Sequence, residues 1–141
     1  NTDGIVKMKN IKNIGINGQK KIFSARILIV GVGGLGCPLV LYLANSGVDN
    51  IGIVDHDKVE TTNLNRQILF TTKDIGKYKV DQVKKVVKNI NDKIKIKTFK
   101  KKIKNKNIKN ILKNFDIICD GTDNFDSRYL LTTTVLNIKK Y

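Results

Sequence analysis

Three glycines, Gly31, Gly33 and Gly36, stand in the order G-x-G-x-x-G inside "RILIVGVGGLGCPLVLYLANSGV" (26–48). An apolar run precedes them and a run with helical spacing follows. The first glycine permits a tight turn, the second lets backbone approach a phosphate, and the third lets helix and strand pack closely. The start of the helix adds free N–H groups and a partial positive charge. Asp55 lies 19 residues after Gly36, at the end of a second apolar run, "NIGIVD". A carboxylate there accepts hydrogen bonds from ribose hydroxyls. A dinucleotide and an ATP would both be served by these features. The continuation, "VDHDKVETTNLNRQILFTTKDIGKYKVDQ", separates them. It gathers Asp57, Asn63, Arg66 and Gln67 in one segment, and Lys79 opens the next helical stretch. Arg66 and Lys79 can neutralise charge developing on a triphosphate. Asp123 follows a third apolar run, where a carboxylate beside phosphates can hold Mg²⁺, a hard ion that prefers oxygen. An Arg, a Lys and an Asp converging on a glycine turn suit phosphoryl or nucleotidyl transfer. Hydride transfer needs only the ribose carboxylate.

The elements that must position these residues follow from periodicity. "RILIV" (26–30) is continuous and β-branched, as in a strand covered on both faces. Pro38 marks a helix start, where proline is tolerated. Leu39, Leu41, Tyr42, Leu43 and Ala44 make that helix largely buried, and "NSG" ends it. Residues 50–55 form a second strand. Residues 56–78 are polar and turn-rich, a long loop with short helical turns; such loops are usually functional. "KVDQVKKVVKNIN" (79–91) places Val80, Val83, Val86, Val87 and Ile90 at helical spacing with lysines outside. "KIKIKTF" (93–99) alternates as a half-exposed strand. Residues 108–115 read as a short amphipathic helix and 116–124 as a buried strand ending in an acidic turn. A further helix starts near Asp126 or Ser127. Strands alternating with helices predict an α/β, Rossmann-like, doubly wound and mainly parallel sheet. Residues 1–25 form a lead-in segment and 26–141 the nucleotide-binding part. The sheet is expected to be incomplete at its C-terminal side.

The 141 residues suit one domain, and a 40% hydrophobic content can bury a real core. The chain opens on Asn1 rather than Met and is expected to be part of a longer protein. No apolar run reaches the roughly 18–20 residues that cross a bilayer, so no membrane partner is expected. The charge balance is 27 basic against 12 acidic residues, +15. Only Arg26, Arg66 and Arg128 are arginines, the residue of choice for bidentate phosphate and base contacts. The lysine excess therefore reads as solvated surface, and a nucleic-acid partner is not expected. Cys37 and Cys119 form no CxxC pair and read as reduced, buried packing residues, which fits a reducing, cytoplasmic compartment.

"GVGGLGCP", "VDHDKVETTNLNRQ", "IGKYKV" and "DGTDNFDSRYLL" closely resemble the ThiF/MoeB/ubiquitin-activating-enzyme family, in the family's order and over most of the chain. The resemblance implies ATP-dependent adenylation of the C-terminal glycine of a ubiquitin-like or sulfur-carrier protein, with release of pyrophosphate. It implies that the turn holding Gly31, Gly33, Gly34 and Gly36 cradles ATP and that Asp55 binds ribose. It places Asp57, Thr62, Asn63, Asn65, Arg66, Gln67 and Lys79 around the nucleotide and its phosphates. Asp123 would bind Mg²⁺ with Asn124 nearby, and Arg128 fits the pattern that follows "TDN". Arg66, Lys79 and Asp123 would be the catalytic residues. A homodimer or heterodimer of the same fold is implied, and Zn²⁺ only in a part beyond Tyr141. Many relatives carry an R-Q-I arginine that reaches a neighbouring subunit's ATP; the matching stretch here, "IVKMKN", offers Lys7 or Lys9, which keep the charge but lose the fork. A non-catalytic partner subunit of the same fold and an NAD(P)-dependent oxidoreductase are the alternative readings.

Overall fold

A computed structural model describes residues 6–8, 24–33, 36–65 and 69–122. Its elements, in order, are β1 (Val6–Met8), β2 (Arg26–Val30), α1 (Gly36–Asn45), β3 (Asn50–Val54), α2 (Lys79–Ile90), β4 (Lys95–Phe99), α3 (Ile108–Leu112) and β5 (Ile117–Asp120). Two short 3₁₀ turns, Thr61–Asn65 and Thr72–Asp74, interrupt the segment between β3 and α2. The expected α/β sheet is present. Its order is β1-β5-β2-β3-β4, with β5, β2, β3 and β4 parallel and β1 antiparallel to β5.

β2 is central, paired with β3 on one side and β5 on the other, which explains its unbroken apolar sequence. Its side chains alternate between two cores. Ile27 and Ile29 join Ile51, Ile53, Ile117 and the helix residues Val40, Val83 and Val87. Leu28 and Val30 join Val54, Ile118 and α3 on the other face. A fully buried aliphatic side chain of this kind contributes about 1.5–3 kcal/mol. Gly52 belongs to that second face, where a Cβ would overlap the Phe115 ring. Phe115 meets Phe99 edge-on, with centroids 6.2 Å apart.

Chain order fixes where a ligand can sit. From β2 the chain steps outward to β3 and β4, then returns to the opposite side of β2 as β5. The direction reverses between β2 and β5, and in open α/β sheets the crevice for ligands lies at the carboxyl ends of the strands beside such a reversal. Gly31 follows β2 there, and Gly121 follows β5.

Three details depart from expectation. Tyr42 is 70% exposed, and Leu39 and Leu41 are only half-buried. The buried stripe of α1 is Gly36, Cys37, Val40, Leu43 and Ala44, because a 3.6-residue period turns positions 38, 42 and 45 outward whatever their polarity. α1 also starts at Gly36, so Pro38 lies inside its first turn rather than at its first position. Third, the lead-in contributes β1, with Lys7 in register with Ile118; three residues are too short to show a two-residue period. The helix expected after Asp126 lies outside the described residues.

Candidate nucleotide site

The glycine turn is locked by backbone. Gly31 donates its N–H to the Val54 carbonyl (2.8 Å) and has φ +87°, a conformation that L side chains rarely adopt. A Cβ on Gly36 would overlap the Gly31 carbonyl oxygen, and one on Gly121 would lie 2.8 Å from that same oxygen. Gly121 in turn donates to the Val30 carbonyl (2.7 Å). Turn, helix start and the end of β5 therefore pack backbone against backbone. Cys37 donates its N–H to the Gly33 carbonyl (3.1 Å), the first helical bond of α1. Gly34 lies outside the described residues.

Asp55 ties this turn to β3. Its Oδ2 accepts the Val32 N–H (2.9 Å) and its Oδ1 accepts the Asp57 N–H (2.7 Å). Each carboxylate oxygen keeps a second lone pair for a sugar hydroxyl. The Asp57 carbonyl accepts the N–H of Lys79 (3.1 Å), so the loop after β3 is pinned to the start of α2. Asp57 and Thr62 are exposed. Asn63 and Asn65 lie on the first 3₁₀ turn, and their side chains are outside the described residues. Arg66, Gln67, Asp123, Asn124 and Arg128 also lie outside them.

Lys79 is the unusual charge. Only 6% of it is exposed, and among the described residues its side chain has no hydrogen-bond or ion-pair partner. A buried ammonium without a counter-charge is costly until an anion arrives. Its position is read through Cys37, whose thiol donates to the Val32 carbonyl (2.9 Å). Burial pushes that thiol up to about 12; the Lys79 charge pulls it down and the Asp55 carboxylate pushes it up. Lys79 and Asp55 thus both act on the Cys37 thiol, at the start of α1. Cys119, on β5, is pushed up to about 11 by burial alone. Both cysteines are buried and free, as expected.

The acidic turn expected after β5 is present, but sequence reading missed the part that Asp120 plays in it. Asp120 is 8% exposed, and its Oδ1 accepts both the N–H (2.9 Å) and the hydroxyl (2.6 Å) of Thr122. This bond fixes the backbone that leads into Asp123. The signal was Gly121 between an acidic residue and a threonine, directly after an apolar strand. Asp55, His56 and Asp57 also bring one ligand atom each within 4.8 Å of one another. His56 Nε2 lies 3.2 Å from Asp57 Oδ1, and Asp55 is engaged by backbone.

With the turn, the Asp55 carboxylate and the buried lysine in place, comparison with known proteins is decisive. The ThiF family profile matches residues 7–141. The chain belongs to the ThiF family. It is 44% identical over 130 residues to the adenylyltransferase and sulfurtransferase MOCS3 of Culex quinquefasciatus, covering 92% of this chain and 30% of that protein. It is 41% identical over 132 residues to the probable adenylyltransferase/sulfurtransferase MoeZ of Mycobacterium tuberculosis, covering 93% of this chain and 34% of that one. The ThiF-family chain therefore spans about a third of the length of these curated relatives. The crystal structure of E. coli MccB with ATP superposes with a TM-score of 0.62 at 33% identity, covering 66% of this chain and 28% of MccB.

Proposed function

We propose that this chain is the nucleotide-binding part of an adenylyltransferase. It would bind ATP and activate the C-terminal carboxylate of a ubiquitin-like or sulfur-carrier protein. The observation that carries this reading is Lys79, a buried cation with no partner among the described residues, beside a glycine turn and a helix start. The names of the relatives, and the ATP bound by MccB, support it.

The chemistry follows from the placement. The carrier's carboxylate oxygen attacks the α-phosphorus, the bond to the β-phosphate's bridging oxygen breaks, and pyrophosphate leaves. The nucleophile is already ionised, so no general base is needed. Negative charge grows on the departing pyrophosphate, and Lys79, held in a low-dielectric position before ATP arrives, stabilises it without reorganising. Asp55 orients the nucleotide through its ribose while holding the turn. Arg66 is assigned the second cation and Arg128 a contact near the site. The carboxyl edge after β5 suits a hard cation: Asp120 and Thr122 shape the turn there, and Asp123, next in sequence, is assigned as the oxygen donor. Mg²⁺ held by Asp123 would supply charge neutralisation on the phosphates. A dimer of the same fold, a cytoplasmic location and a Zn²⁺ site in the part beyond Tyr141 complete the proposal.

Titration with ATP·Mg²⁺ and with NADH tests it. ATP binding without NADH binding, weakened at least about thirty-fold by Lys79→Met, is expected from the loss of a desolvated charge pair. NADH binding better than ATP, or ATP binding indifferent to Lys79→Met, would move the chain to the oxidoreductase reading. Carrier-dependent pyrophosphate exchange into ATP, abolished by Asp123→Ala, tests the reaction itself.

A further inference from the structure

The lysine excess is not spread evenly. Residues 84–113 carry thirteen lysines against one acidic residue, Asp92, or +12 of the chain's +15, which leaves +3 for the other 111 residues. The fold gathers this run at one place. α2 packs on one face of the sheet, α3 on the other, and β4 is the edge strand between them. Lysines from all three elements, and from the loop 100–106, therefore surround a single edge. Most are exposed and make no ion pair among the described residues. Lys88 donates to the Ile94 and Asp92 carbonyls, and Lys100 pairs with Asp81 at 2.8 Å, so these two help build the surface itself.

The outer side of α2 is grooved. A groove of about 790 Å³ is lined by Tyr78, Gln82 and Asn89, by four lysines (Lys77, Lys84, Lys85 and Lys88) and by one acidic residue, Asp81, which Lys100 pairs. Gln82 is only 6% exposed, and its side-chain amide has no partner among the described residues. Lys58 and Lys100 stand over the ring of Tyr78, at 5.1 and 5.0 Å. Several lysines and an aromatic side chain lining one groove match the combination that holds single-stranded nucleic acid. The Gln82 amide adds both a donor and an acceptor, of which a carboxylate could use only the donor. It can donate to and accept from a 2′-hydroxyl, the group that distinguishes RNA from DNA. We propose that the α2 groove and the lysine edge around it bind single-stranded RNA, through its phosphates and 2′-hydroxyls and without reading base sequence. Residues 84–113 contain no arginine, which fits charge recognition rather than bidentate base contacts.

Fluorescence anisotropy on the full chain with a labelled mixed-sequence RNA of about 15 nucleotides, a length within the usual site sizes, tests this. Binding should weaken with salt with a log–log slope of about −2 to −3, because each phosphate neutralised on a single strand contributes about 0.7. Lys77→Ala/Lys84→Ala/Lys85→Ala should lower the slope magnitude by about 2 and the affinity at low salt at least ten-fold, with circular dichroism and the melting temperature unchanged. DNA of the same sequence should bind several-fold more weakly, and Gln82→Ala should abolish that difference. The proposal fails if RNA does not bind at low salt, if the triple variant keeps the slope, or if DNA binds as well as RNA. It also fails if poly-glutamate or vesicles of anionic phospholipid displace the RNA at equal charge concentration, which would assign the surface to an acidic protein or a membrane.

Discussion

The two edges of this sheet use positive charge in opposite ways. At the carboxyl edge, beside the glycine turn, one lysine is buried and has no partner among the described residues, and its charge reaches the Cys37 thiol. At the β4 edge, lysines are many, exposed and solvated. Exposed charges in water interact by about 1 kcal/mol at contact distance and are screened by salt, whereas a desolvated charge acts several times more strongly. The number of charges therefore does not rank the two edges. A single cation fixed in a low-dielectric site can do chemistry on one phosphate, while many mobile cations can only hold a long polyanion.

The strongest way to break this contrast is to deform the carboxyl edge itself. Gly36→Ala puts a Cβ into the Gly31 carbonyl oxygen, where backbone and not a flexible side chain must give way. A loss of about 3 kcal/mol or more, at the upper end of overpacking costs, is expected in chemical denaturation, together with loss of ATP binding. A variant that melts like the wild type and still binds ATP would show that the turn does not need this close approach.

Lys79→Met separates function from stability. ATP affinity should fall, yet the nucleotide-free chain should become more stable, by about 1 kcal/mol, because an unpaired buried charge is replaced by an apolar side chain of similar length. Any loss of stability in urea would mean that the Lys79 ammonium is already well compensated without nucleotide, and the comparison between the edges would collapse.

Much of this was legible because it rests on local chemistry. The glycine spacing, Asp55 nineteen residues on and the alternating "KIKIKTF" each reflect a period or a steric need confined to one element. The turn and β4 stand where that reading put them. Long-range geometry was less legible. The burial of Tyr42 was overestimated because an apolar residue within an apolar run gives no sign of which face it occupies. That Lys79 has no partner among the described residues depends on what distant segments bring near it, and no spacing encodes that. Asp120 was passed over because its neighbour Asp123 drew the reading; the Thr122 bonds that give it a role arise only when the turn closes. The sorting of lysines into one edge needed the strand order, which sets β4 at the outside.

The buried thiols sharpen the contrast through pH. Cys37 and Cys119 have folded values of about 12 and about 11 against an ordinary 9.0. The folded state thus holds protons that the unfolded state releases above pH 9, so stability falls as pH rises, by up to about 1.4 kcal/mol per pH unit for each thiol until its folded value is passed. Full stability is expected below pH 9, and Cys119→Ala should remove one thiol's share of the alkaline decline in a urea series from pH 8 to 10. ATP should slow modification of Cys37 by a thiol reagent, because the bound phosphates compensate Lys79, the charge that lowers this thiol.

The smallest effect belongs to the lysine edge. Lys104 is exposed and has no ion pair among the described residues, in a segment crowded with like charges. Lys104→Glu relieves self-repulsion, and stability should rise by a few tenths of a kcal/mol at low ionic strength. Near 1 M salt, where the screening length is about 3 Å, the gain should vanish. A buried charge would not behave this way: the stability gained by Lys79→Met should persist in salt, since ions do not penetrate its surroundings. Matched urea titrations of both variants at low and high salt therefore test whether the two edges differ in kind. Equal salt sensitivity would show that Lys79 is solvated like the rest and that burial does not set it apart.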